Sequence, residues 1–133
     1  MLVVDTEFLF ALNSRNPKHK HALKILREHR GELIVPDTVL FEFLVVLRSY
    51  GKNHDEIRDA LKALKKIFTT YEINEAHTID THLLIIHVDL MSRYELTFFD
   101  SLIAASALIL GKTIISDDKD FDKVPGLKRI SLT

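Results

Sequence analysis

Four acidic residues of this sequence stand in settings where a charge is expensive. Asp100 is the only charged residue between Glu95 and Lys112, and Glu42 is the only one between Val39 and Leu47. Asp5 closes the apolar opening Leu2-Val3-Val4, and Asp118 lies in the acidic turn Asp117-Asp118-Lys119-Asp120-Phe121-Asp122. A carboxylate in apolar surroundings is costly unless a cation, a hydrogen-bond donor or a helix cap holds it. Carboxylates brought together also raise one another's pKa unless a cation intervenes. An all-carboxylate set in a chain without cysteine suits a hard divalent ion, Mg²⁺ or Mn²⁺. Such ions activate water and neutralise charge on a phosphodiester in transfer, so the expected chemistry is metal-assisted phosphodiester hydrolysis.

The elements that must position these acids can be read along the chain. Leu2-Val3-Val4 is a β-branched, continuous run of the kind found in buried parallel strands, and it ends on Asp5. Asn16-Pro17 opens a helix that runs to about Arg30, and Gly31 stops it. Glu32 to Pro36 reads as a second strand, and Asp37 or Thr38 caps a helix to Tyr50, with Gly51 beyond. Asn53 with Glu56 forms a capping box ahead of the stripe Ile57, Ala60, Leu61, Leu64 and Phe68. Tyr71-Glu72-Ile73 reads as a brief strand, Asn74 as a cap, and 76–94 as a helix. The Asp100 helix follows and stops at Gly111; Thr113 to Ser116 and Lys128 to Ser131 are the last strands. Strands alternating with helices imply an α/β fold with a mainly parallel sheet covered on both faces.

In such a sheet ligands bind outside the carboxyl ends of the strands. Asp5 and the acidic turn both follow strands. Glu42 and Asp100 both fall early in helices, where side chains lean back toward the same edge. Each acid also has a plainer reading. Asp5 can end a strand as a turn residue, Thr97-x-x-Asp100 can be a capping box, and the acidic turn can be a solvated loop. Glu42 resists this treatment, because its neighbours are bulky and apolar and no basic residue lies one turn away. The joint pattern, with four acids directed to one rim, favours a site.

The remaining polar clusters carry less. His77, His82 and His87 are spaced five apart, unlike the i, i+4 pair of a zinc helix, and read as surface or packing residues. His19 and His21 with Lys18 and Lys20 form a small basic patch that reads as a solvated face with some reach toward RNA phosphate. With 18 basic and 19 acidic residues, the 133-residue chain has no global electrostatic signature of nucleic-acid binding. No apolar run is long enough for a membrane span, the amino terminus lacks a signal-peptide pattern, and the absence of cysteine fits a cytoplasmic protein.

Val3-Val4-Asp5-Thr6, Pro36-x4-Phe41-Glu42, Phe99-Asp100-Ser101-Leu102-Ile103-Ala104-Ala105 and Ser116-Asp117-Asp118-Lys119-Asp120-Phe121 together resemble the PIN domain family. In size and motif order the chain is similar to the stand-alone VapC-type toxin ribonucleases. The resemblance implies one domain over residues 1–133, a three-layer α/β/α sandwich on a mainly parallel sheet. It puts Asp5, Glu42, Asp100 and Asp118 at the acidic metal site, with Asp120 as an auxiliary acid and Thr6 and Ser116 supplying hydroxyls. Glu7 departs from the small polar residue usual there, and is either an extra ligand or solvent-facing. Asp118 is favoured over Asp117 as the fourth acid by the register Ser116-x-Asp118-x-Asp120-Phe121. The implied activity is a Mg²⁺- or Mn²⁺-dependent endoribonuclease, a homodimeric toxin of a type II pair silenced by a cognate antitoxin. The apolar stripe from Ile57 to Phe68 is expected to face the core, and any exposed part of it could receive an antitoxin helix. Three alternatives remain: a housekeeping PIN nuclease in RNA processing, an aspartyl-phosphate phosphatase using an imperfect Asp5-Thr6-Glu7, or a catalytically silent α/β binding domain.

Overall fold

A computed structural model describes all of residues 1–133. Five short strands form one sheet: β1 (Leu2–Val4), β2 (Leu33–Pro36), β3 (Asn74–Ala76), β4 (Thr113–Ile115) and β5 (Lys128–Ile130). Their spatial order is β3-β2-β1-β4-β5, and every pairing is parallel. Six α-helices connect them: α1 (Thr6–Ala11), α2 (His19–Glu28), α3 (Asp37–Ser49), α4 (His54–Thr70), α5 (Thr81–Tyr94) and α6 (Phe98–Leu110). A single 3-10 turn, Lys119–Lys123, lies between β4 and β5. The architecture is the three-layer α/β/α fold with a parallel central sheet. No helix is long and apolar enough to cross a membrane.

The central strands are buried because helices cover both faces, which is why β1, β2 and β4 need continuous apolar runs instead of alternation. Val3, Val4, Val35, Ile114 and Ile115 are fully enclosed, and Val3 pairs with both Ile34 and Ile114. Helix α6 is apolar nearly all round, and Ser101 to Ala107 are all buried where it packs across β1, β2 and β4. Gly111 ends it with φ of 142°, and a Cβ there would come within 2.9 Å of the Met1 carbonyl oxygen. Only glycine satisfies both constraints. The edge strands β3 and β5 carry exposed Glu75 and Lys128, which discourages further strand addition.

Five local expectations shift. Helix α1 has no counterpart among the expected elements; Asp5 starts it by accepting a hydrogen bond from the Phe8 N–H at 3.0 Å. Helix α2 begins at His19, because Asn16 accepts from the Lys18 N–H and turns the chain before the helix. Pro36, not Asp37 or Thr38, is the N-cap of α3. The third strand lies at Asn74–Ala76, three residues beyond Tyr71-Glu72-Ile73, and Asp80 caps α5. The Asn53–Glu56 capping box forms as expected, with both reciprocal hydrogen bonds present.

Candidate active site

The strand order places a topological switch point between β1 and β4. From β1 the chain builds outward through β2 and β3 on one side, then returns to β4 and β5 on the other. A crevice forms at the carboxyl ends of strands where connections diverge in this way. Asp5 directly follows β1, and Asp118 lies three residues beyond β4. Glu42 comes from the second turn of α3, and Asp100 from the first turn of α6. All four line one cleft of about 260 Å³ together with Thr6, Glu7, Ile103 and Phe121.

Within that cleft the acids are differently held. Asp5 is almost fully buried at 5% exposure, and its carboxyl is pushed up from 3.8 to about 7. Burial is the chief cause; the Ser116 hydroxyl and the Phe8 N–H oppose it, while Glu7 and Asp118 add to it. The Asp100 carboxyl is pushed up to about 6, first by burial and then by Asp118, with Glu42 and Asp120 contributing. Carboxylate oxygens of Asp100, Asp118 and Asp120 all lie within 4.8 Å of one another. Asp120, expected as an auxiliary acid, thus joins the tightest cluster, although Lys123 Nζ also sits 3.2 Å from it. The capping role of Thr97 proves to be partial. Its hydroxyl accepts from the Asp100 N–H at 3.3 Å and also lowers the Asp100 carboxyl pKa, but no bond returns from the Thr97 N–H.

Asp117 turns away from the cleft. Its carboxylate accepts hydrogen bonds from Ser131 Oγ, from the Leu132 and Thr133 N–H groups, and from Thr133 Oγ1 and Lys18 Nζ. Partial burial pushes the group up, yet these bonds outweigh it and hold it well below the usual carboxylate range. Lys18 reaches Asp117 at 2.9 Å and also hydrogen-bonds the Glu7 carboxylate. Glu7 lines the cleft edge, partly exposed, with its charge matched by Lys18. Lys18 was readable only as part of a basic patch, because one of its partners is 99 residues away. A Lys18→Met protein is expected to lose about 1 kcal/mol at pH 7, less in 1 M salt, as measured by urea unfolding.

The ion-pair pattern divides the acids cleanly. Glu7, Asp117, Asp120 and Asp122 each have a Lys or Arg partner, whereas Asp5, Glu42, Asp100 and Asp118 have none. Four acids lining one cleft with no cation between them is a costly arrangement in the metal-free chain. The Thr6 hydroxyl is buried against the same cleft without any hydrogen-bond partner. Ser116 Oγ, also fully buried, accepts from the Asp118 N–H at 3.0 Å, and its hydroxyl bonds the Asp5 carboxyl, so it links the turn after β4 to the end of β1. The histidines take no part in this cleft: His77 and His82 are exposed, His19 bonds the Ala11 carbonyl, and His87 is buried against α6.

The PIN domain family model matches residues 2–127. The chain belongs to the PIN domain family. Among curated proteins no sequence relative matches at a significant level. Among solved structures, a toxin–antitoxin complex from Klebsiella pneumoniae is similar at 20% identity and TM-score 0.72, over 100% of this chain and 98% of that one. The Mycobacterium tuberculosis protein VapC20, described as a sarcin–ricin loop cleaving toxin, is 20% identical with TM-score 0.71, over 92% and 93% of the two chains. FitAcB from Neisseria gonorrhoeae is 15% identical with TM-score 0.73, over 99% and 98%. At these identities the likeness establishes the PIN fold over the whole chain.

Proposed function

We propose that this PIN-domain chain is a divalent-metal-dependent endoribonuclease, the toxin member of a toxin–antitoxin pair. The observation that carries the reading is the set of four cleft acids, Asp5, Glu42, Asp100 and Asp118, without a single basic partner. The donor set is all oxygen, which fits Mg²⁺ or Mn²⁺, and the orphaned Thr6 hydroxyl fits a ligand or an ordered water nearby. When bound, a divalent ion of this kind supplies an activated water and neutralises charge on the phosphodiester.

The residues would divide the work by position. Asp100 and Asp118, with Asp120 beside them, form the wall that would hold the cation. Asp5 and Glu42 would complete the oxygen set, and Asp5, whose carboxyl is held up at about 7 by burial, would release its proton on binding. Thr6 and Ser116 would orient carboxylates and water through their hydroxyls. The lysine-matched Glu7 keeps further negative charge from the cleft edge, where the RNA phosphate must arrive.

Toxin–antitoxin complexes recur among the structural neighbours, which supports an antitoxin partner and a dimeric toxin. A second feature fits that partner. An apolar groove of about 250 Å³, lined by Leu9, Phe10, Phe43, Leu47, Leu64 and Ile67 among others, runs between α1, α3 and α4. It is open to an amphipathic helix of the kind such partners present. Chelator-stripped protein is expected to leave a panel of structured RNAs intact and to cut after Mg²⁺ or Mn²⁺ is restored. Cleavage that persists in excess EDTA would refute the metal dependence.

A further inference from the structure

His87 is a buried imidazole that the cleft does not use. It lies on the face of α5 between Leu83 and Leu90, all three buried, at 3% exposure. A polar ring in such a place is costly unless it makes a bond that an apolar residue cannot. Its Nδ1 lies 2.9 Å from Ser101 Oγ, and its ring meets Phe98 edge-on at 4.9 Å.

The two carbonyls beside Ser101 Oγ favour one direction for that bond. Ser101 Oγ has one hydrogen, and it lies 2.8 Å from the Thr97 carbonyl and 2.9 Å from the Phe98 carbonyl. Carbonyl oxygens only accept, and with the hydroxyl hydrogen on one of them the Oγ lone pair faces His87. In that arrangement the imidazole carries its proton on Nδ1 and donates. This is the one side-chain hydrogen bond between α5 and α6, and it lands on the residue next to Asp100. Ser101 in turn grips the first turn of α6, the turn whose pitch sets where the Asp100 carboxylate points.

We infer that His87 is a positioning residue, whose Nδ1–H bond to Ser101 holds the first turn of α6 so that Asp100 faces Asp118 and Asp120. This rests on the metal-site reading above. Partners that act on a ligand from outside commonly change metal affinity or activity by about 10- to 100-fold. Because His87 acts through a neighbouring residue, the lower end applies.

The test compares wild type, His87→Leu, His87→Asn, Ser101→Ala and Asp100→Asn, with Mn²⁺ affinity measured by calorimetry beside RNA cleavage. His87→Leu is expected to weaken Mn²⁺ by about 10-fold and to lower kcat, with KM for RNA within about twofold. His87→Asn, whose amide can donate near the Nδ1 position, is expected to recover most of the loss. Ser101→Ala is expected to match His87→Leu, and it carries the test alone if the leucine variant does not fold. Wild-type Mn²⁺ affinity in folded His87→Leu or in Ser101→Ala would overturn the inference, as would equal losses in the leucine and asparagine variants. If Asp100→Asn loses Mn²⁺ while those variants keep it, the positioning role alone fails. If Asp100→Asn binds like wild type, the metal-site reading fails with it.

Discussion

Asp5→Asn is expected to stabilise the metal-free protein at pH 8 while lowering RNA cleavage by roughly 100-fold or more. The two effects have one cause. Asp5 is buried, and its folded-state pKa of about 7 lies above the ordinary 3.8. A carboxyl raised in this direction contributes fully to stability below about pH 4, where it is protonated in both states. That contribution is lost as pH rises through about 7, where the folded chain must carry a buried charge. The displacement corresponds to at most about 4 kcal/mol. Asparagine keeps the acceptor for the Phe8 N–H, since Asn and Asp cap helices equally well. The melting temperatures of the two proteins in EDTA should thus coincide near pH 4 and separate steadily toward pH 8, with the variant higher. The same comparison in saturating Mn²⁺ should narrow or reverse, because only the native carboxylate gains from the cation. A variant no more stable than wild type at pH 8 in EDTA would show that Asp5 bears no unmet charge.

Asp37→Ala is expected to be the most damaging change outside the cleft, costing about 3 kcal/mol and lowering Tm by roughly 10 °C. The Asp37 carboxylate accepts from the Thr38, Thr78 and Ile79 N–H groups and from the Thr78 hydroxyl. Thr78 Oγ1 and Thr38 Oγ1 each lie within hydrogen-bonding distance of the buried Ser106 Oγ, which ties α3, the β3–α5 connection and α6 together. Alanine leaves those donors without partners in a partly buried place, and asparagine should recover part of the loss. Calorimetric melting of the three proteins checks this; a Tm change under about 3 °C in the alanine variant would contradict it.

These two residues show what the sequence makes legible. Strands β1, β2 and β4 announce themselves through β-branched apolar runs, and the caps at Asn53 and Thr97 through local spacing. Asp5, Glu42 and Asp100 are findable because each is a charge at or within an apolar stretch, whereas Asp118 stands among other charges and is singled out only by the register of its turn. Contacts between distant segments leave no such local mark. Asp37 reads as a helix cap, yet its main partners are 41 and 42 residues away. Asp117 and Asp118 are adjacent and chemically alike, and only the Ser131–Thr133 segment and Lys18, all remote in sequence, draw the first away from the cleft. Helix α1 escaped because it is six residues long, too short for a helical period to emerge. Strand β3 escaped because Asn74-Glu75-Ala76 has no strand-like composition; its pairing with Ile34, Val35 and Pro36 is made by the backbone.

The central claim is that the unpaired acids form a metal site that cuts RNA. It is tested most directly by incubating structured RNAs with wild type and Asp100→Asn side by side, with and without Mn²⁺. Mn²⁺-dependent cleavage is expected from wild type and none from the folded variant. Equal cleavage by both proteins, or cleavage by wild type that ignores Mn²⁺, would contradict the claim.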